Sequence, residues 1–144
     1  MKVKLDKGAF APERKHPCDA GLDLRIPDLF IYRSGGVIVP SYGSAFIDTG
    51  VHIELPAGYV GLIKSRSGLF TNHGISTDGV IDENYRGAIG VTLINNSDTP
   101  LKLRAGDRLA QLIIVPCIYV DVEIVDSLSD SDRGENGFGS TGLE

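Results

Sequence analysis

The chain has 144 residues, enough to close one hydrophobic core unaided, since a domain of this size buries roughly 68 to 70% of its unfolded surface. Its formal charge of −5 excludes nucleic acid as the expected partner, because phosphate chains are met by basic stripes, but leaves room for a small anion held by local cations or a metal ion. Cys18 and Cys117 lack disulfide or CxxC spacing and neither a signal peptide nor the ~18-residue apolar run of a membrane span is present, so free thiols, a cytoplasmic location and no membrane partner are expected.

Eighteen glycines and seven prolines punctuate short Val/Ile/Leu runs. Turn signals recur at the spacing of an all-β sandwich or barrel, and no helix of ordinary length is indicated. Strands are predicted at residues 3–5, 22–26, 37–39, 44–48, 51–55, 59–64, 80–82, 88–94, 101–103 and 108–115, with a further strand at 118–124. That number favours two packed antiparallel sheets.

Within residues 20–24, AGLDL, two leucines share one strand face and Asp23 looks the other way. A solvated sandwich face explains this, and so does a carboxylate that holds waters on a magnesium ion, since hard cations bound with phosphates keep several waters. At residues 65–68, SRSG, an arginine, a hydroxyl and a flexible backbone supply what a loop needs to hold phosphate oxygens. It is also what an ordinary exposed loop contains, and no nucleotide fingerprint surrounds it. Residues 67–73 show no β run and leave space for a turn or two of helix. Residues 79–95, GVIDENYRGAIGVTLIN, read as a β-hairpin whose bend carries Asp82 and Tyr85. Its glycines mark bulges or places where another backbone or a ligand comes close.

After residue 125 the composition turns polar and acidic, then becomes RGENGFGSTG at 133–142. The expected organisation is a folded body over residues 1–125 followed by a linker and arm over 126–144. Composition favours a disordered tail. The alternative is an arm that orders on a ligand, with Phe138 stacking on a flat ring while Arg133, Ser140, Thr141 and glycine amides supply donors. His16, His52 and His73 are scattered without metal-ligand spacing, and neither cysteine has an adjacent base, which argues against zinc and covalent catalysis.

Taken together, AGLDL at 20–24, SRSGL at 65–69, GVIDENYRG at 79–87, RLAQLI at 108–113 and RGENGFGSTG at 133–142 resemble the trimeric, all-β dUTPase family, motif by motif and in the family's order. The resemblance implies a jelly-roll-like antiparallel β-sandwich or distorted barrel with a flexible C-terminal arm, assembled as a homotrimer with shared active sites. It implies hydrolysis of dUTP to dUMP and pyrophosphate with Mg²⁺ as cofactor. Asp82 would orient the water that attacks the α-phosphorus, Tyr85 would pack under the deoxyribose, and backbone of Gly79, Val80, Ile81 and Gly90 would read uracil. Asp23 would reach Mg²⁺ through waters, Arg66, Ser67 and Gly68 would hold phosphates, and Gln111 would complete the pocket. Arg133, Phe138, Gly139, Ser140 and Thr141 would close over the nucleotide from a neighbouring subunit. Asn136, Phe70 and Lys64-Ser65 depart from the family's commoner residues without removing a catalytic group. A dUTP-binding regulator on the same scaffold and a dCTP deaminase are the competing readings.

Overall fold

The computed structural model describes residues 1–28, 36–132 and 134–136. Among them, eleven strands and one short helix follow in the order β1 (Lys2–Leu5), β2 (Gly21–Arg25), β3 (Val37–Val39), β4 (Ser44–Asp48), β5 (Val51–Glu54), β6 (Tyr59–Lys64), α1 (Ser67–His73), β7 (Ile75–Ser76), β8 (Asp78–Ile81), β9 (Gly90–Asn95), β10 (Leu101–Leu103) and β11 (Arg108–Pro116). All described pairings are antiparallel. The strands form one sheet in the order β2-β11-β6-β8, a second in the order β4-β9-β7, and two ribbons, β1 with β5 and β10 with β3.

Period-two patterning explains the layering. In β2, Leu22 and Leu24 turn inward while Asp23 and Arg25 stay half-exposed. In β9, Val91, Leu93 and Asn95 turn inward. The inward side chains of all four strand sets meet in one core that includes Leu24, Ile47, Ile63, Ile75, Ile89, Leu93 and Leu112. Each such burial contributes about 1.5–3 kcal/mol, so this shared core is what holds the short ladders together. The all-β antiparallel expectation is met.

The pattern expected as a hairpin over residues 79–95 is a crossing between sheets. β8 pairs with β6 and β9 pairs with β4 and β7, with no ladder between β8 and β9. A two-residue β7, absent from the sequence prediction, starts the division, and buried Thr77 carries the chain from one sheet to the next. The connecting residues 82–89 dock instead on β5, where the Ile89 N–H donates to the Val51 carbonyl at 2.8 Å.

The helix that residues 67–73 allowed is α1. It buries no side chain completely and ends at Gly74, whose φ of 66° is left-handed and whose N–H donates to Leu69 and Phe70 carbonyls. The strand expected at 118–124 is not formed. Those residues carry no ladder, and Ile118, Val120, Val122 and Ile124 are 76–94% exposed. An alternating apolar sequence makes a strand only where an edge accepts it, and no edge in the described fold does so.

Candidate active site

Asp23 stands on the outward face of β2, and two arginines from distant segments converge on it. Arg66 Nε donates to one carboxylate oxygen at 2.9 Å and Arg108 donates to the other at 3.0 Å. The Asp23 side chain is only 13% exposed, so both pairs are shielded from screening far better than surface ion pairs. A register shift between Arg108 and Ala110, where β11 meets β2, sets this geometry. It leaves two consecutive residues, Leu109 and Ala110, buried. Arg108 is therefore opposite Arg25 and Gln111 opposite Asp23, which puts all four on one face.

Gln111 lies across Gly21, where a Cβ would collide with the glutamine side chain, and its amide donates to the Ser65 carbonyl at 2.9 Å. Ser65 is itself fixed, since its hydroxyl donates to the Thr77 carbonyl and accepts the Thr77 N–H. Lys64 pairs with Asp78 at 2.6 Å. The Lys64-Ser65 departure thus ties the end of β6 to the start of β8 and holds the Arg66 loop. Lys15, Asp19, Ala20, Gly21, Asp23, Arg66, Ser67, Arg108 and Gln111 line a cleft of about 350 Å³. Three cations face two carboxylates there, in a chain whose total charge is −5. Among the described residues, the remaining N–H groups of Arg66 and Arg108 have no protein acceptor, and such a fork suits phosphate oxygens. Gly68 continues this loop into α1.

Among the described residues, no cluster of three or more His, Cys, Asp or Glu side chains is placed to hold a metal. The Asp23 oxygens each face a guanidinium, and Asp19 lines the same cleft. This donor set fits Mg²⁺ whose ligands come mainly from bound phosphates, with a carboxylate reached through water.

Asp82 belongs to a second cluster. It is exposed at the start of the loop after β8, and with Val60, Glu83, Asn84, Cys117 and Tyr119 it lines a cavity of about 350 Å³. Glu83 anchors the loop by accepting the Gly58 N–H and the Tyr119 hydroxyl, each at 2.7 Å. The Tyr119 hydroxyl, then the Gly58 N–H, hold the Glu83 carboxyl below the usual carboxylate range. The same carboxylate pushes the Tyr119 phenol up to about 12. Tyr85 donates to the Ala88 carbonyl at 2.8 Å. Gly79, Val80 and Ile81 lie in β8, the sheet's edge strand, with β6 on one side only. Gly90 sits under the Phe46 ring, which occupies the space a side chain would need.

Asp82, just past the end of β8, and Asp23 on β2 line different clefts. Asp23, Gln111, Lys64 and Asp78 form one row across the four strands, and Asp82 follows four residues after Asp78. At about 4.8 Å between strands and about 3.3 Å per residue, that ladder puts the backbone of the two residues on the order of 20 Å apart within one chain. The structure thus gathers Asp23, Arg66, Ser67 and Gln111, and separately Asp82 and Tyr85. Arg133, Phe138, Gly139, Ser140 and Thr141 lie outside the described residues. Arg108 and Lys15 were not expected in the cleft. Strict alternation puts Arg108 and Gln111 on opposite faces, and a doubled apolar pair at 109–110 was the available sign of the bulge.

The dUTPase family model matches residues 8–142. The deoxyuridine 5'-triphosphate nucleotidohydrolase of Gloeothece citriformis is 47% identical, covering 99% of this chain and 97% of its own. That of Clostridium acetobutylicum is 41% identical, covering 100% and 97%. The dUTPase of Staphylococcus bacteriophage 80alpha, solved with dUpNHpp, superposes with a TM-score of 0.85 at 32% identity over 99% of this chain and 98% of that one. A structure of the phage phi11 dUTPase of S. aureus, which concerns coordination of a structural Mg(II) ion, gives 0.75 at 28% identity over 88% and 96%. Sequence and fold agree along nearly the whole length, and the chain belongs to the dUTPase family.

Proposed function

We propose that the protein hydrolyses dUTP to dUMP and pyrophosphate in sites shared between three copies of the chain. What carries this reading is the cation-lined cleft around Asp23, built from motif residues of the family in an otherwise acidic molecule. Arg66, Ser67, Gly68, Arg108 and Gln111 bind and orient the triphosphate there. Asp82 orients a water toward the α-phosphorus and takes its proton. The new O–P bond forms as the bond to the α–β bridging oxygen breaks, and that electron pair leaves with pyrophosphate. Asp23 would hold Mg²⁺ through waters, with the substrate phosphates supplying most of its ligands, and the ion when bound would neutralise phosphate charge.

A phosphate clamp and a water-orienting base must meet at one phosphorus, within about 3–3.5 Å of reacting geometry. The roughly 20 Å between Asp23 and Asp82 therefore favours an assembly in which one copy supplies the cleft and another the Asp82 loop. The exposed apolar alternation over residues 118–124 favours cover by a neighbouring copy. The unpaired edge of β8 suits a uracil read by Gly79, Val80 and Ile81 backbone, with Gly90 beyond the crossing loop and Tyr85 under the deoxyribose. Cytosine places a donor where uracil accepts, and the backbone rejects it by leaving buried groups unpaired. Residues 126–144 act as linker and arm, bringing Arg133, Phe138, Gly139, Ser140 and Thr141 over the nucleotide. The two free cysteines suit the cytoplasm, and no described helix is long and apolar enough to cross a membrane.

The test is turnover of dUTP and dCTP, with pyrophosphate and ammonia followed separately, in the parent and in Asp82→Asn. Pyrophosphate from dUTP alone is expected, with the variant still binding nucleotide while turnover falls by about 10² or more. Ammonia from dCTP, or undiminished turnover in the variant, would overturn the reading.

A further inference from the structure

The loop over residues 82–89 is held to the body on both sides of Tyr85. Before it, Glu83 grips the Gly58 N–H and the Tyr119 hydroxyl. After it, the Arg86 carbonyl meets His52 Nδ1 at 2.8 Å, while His52 Nε2 meets an Asp6 carboxylate oxygen at 3.0 Å. A carbonyl and a carboxylate are both acceptors. A neutral imidazole has one N–H and satisfies one of them, whereas an imidazolium donates to both. From these contacts we propose that His52 is a positioning residue for the sugar-binding side of the site, its protonated ring fixing the Arg86 carbonyl and hence the backbone beside Tyr85.

The proposal rests on the assignment of Tyr85 to the deoxyribose. His52 lies on β5, opposite Lys4 of β1. The Arg86 carbonyl, then the Asp6 carboxylate, raise its affinity for a proton, against opposing effects of burial and Lys4. The remaining charges nearby are the Arg86 guanidinium, which donates to the Glu83 and Tyr85 carbonyls, and Glu54, paired with Lys2. With the folded value raised above the ordinary one of about 6.5, both contacts are made below that pH; as pH rises through the folded value the ring keeps a single N–H, and the charged Asp6 carboxylate, the stronger acceptor, takes it from the Arg86 carbonyl. The Glu83 anchor stays ionised across this range, so only the Arg86 side of the loop loosens.

The experiment measures kcat/KM for dUTP and for UTP from pH 6 to 9, alongside NMR of the His52 ring nitrogens and the Arg86 carbonyl carbon. Phosphate and uracil titrations are common to both nucleotides and cancel in the ratio. The dUTP:UTP ratio is expected to fall roughly tenfold as His52 deprotonates, the scale of one charge-assisted hydrogen bond. It should be low and flat with pH in His52→Gln, and high and flat in His52→Arg, which keeps fixed donors. A parent ratio that ignores the His52 titration, or a His52→Gln variant with the parent profile, would overturn the proposal. Tyr85→Ala separates the two claims. If it leaves the ratio at the parent value, the sugar assignment has failed, and the Arg86 carbonyl then decides for or against His52 by moving, or not moving, with the ring titration.

Discussion

Asp23 sets the electrostatics of the cleft because a single shielded carboxylate orients two guanidiniums, leaving their remaining N–H groups for an anion. Arg108 is the less obvious of the pair. Arg108→Ala should lower kcat/KM for dUTP by about 10² while circular dichroism and thermal unfolding stay near the parent; an unchanged rate would remove it from the phosphate clamp. Across the sheet, Tyr85 is the proposed sugar discriminator, and Tyr85→Ala should raise UTP turnover relative to dUTP in side-by-side kinetics. Asp23, Arg66 and Asp82 stood out in the sequence as candidate chemistry-bearing side chains, and Gln111 through the family resemblance. What composition did not reveal was which of them meet. Arg108 joins Gln111 through a one-residue bulge, and Glu83 and His52 gain their partners only when Gly58, Tyr119 and Asp6 arrive from elsewhere.

At the scale of elements, strands were readable where alternation was clean, as in Leu22 and Leu24 of β2 or Val91 and Leu93 of β9. Pairing was not, because a strand's partner is set by the shared core and not by its own pattern. That is why residues 79–95 looked like a hairpin although β8 and β9 lie in different sheets. It is also why apolar alternation at 118–124 produced no strand. The short α1 owes its end to Gly74, whose left-handed backbone suits only glycine at low cost. Gly74→Ala should cost about 1–2 kcal/mol, seen as a Tm lowered by a few degrees with activity retained at lower temperature. An unshifted Tm would show that the helix end relaxes freely.

For the whole molecule, the central matter is the proposed division of one chemistry between two places on a chain. The last described strand ends at Pro116, and among the described residues the core all precedes Cys117. Deleting residues 133–144 should therefore leave a folded, assembled protein by size exclusion and circular dichroism, with dUTP hydrolysis reduced by about 10² to 10³. Unfolding of the truncated chain would place core contacts in the arm. The separation of Asp23 from Asp82 has a more direct consequence. Arg66→Ala alters the cleft and Asp82→Asn alters the loop proposed to orient the water, and each variant alone should be nearly inactive. Co-expressed in equal amounts, they should form mixed assemblies in which some sites draw an intact cleft from one copy and an intact Asp82 from another. Random mixing of cyclic trimers predicts recovery to roughly a quarter of parent activity. A mixture no more active than the two variants measured separately would contradict a site shared between copies.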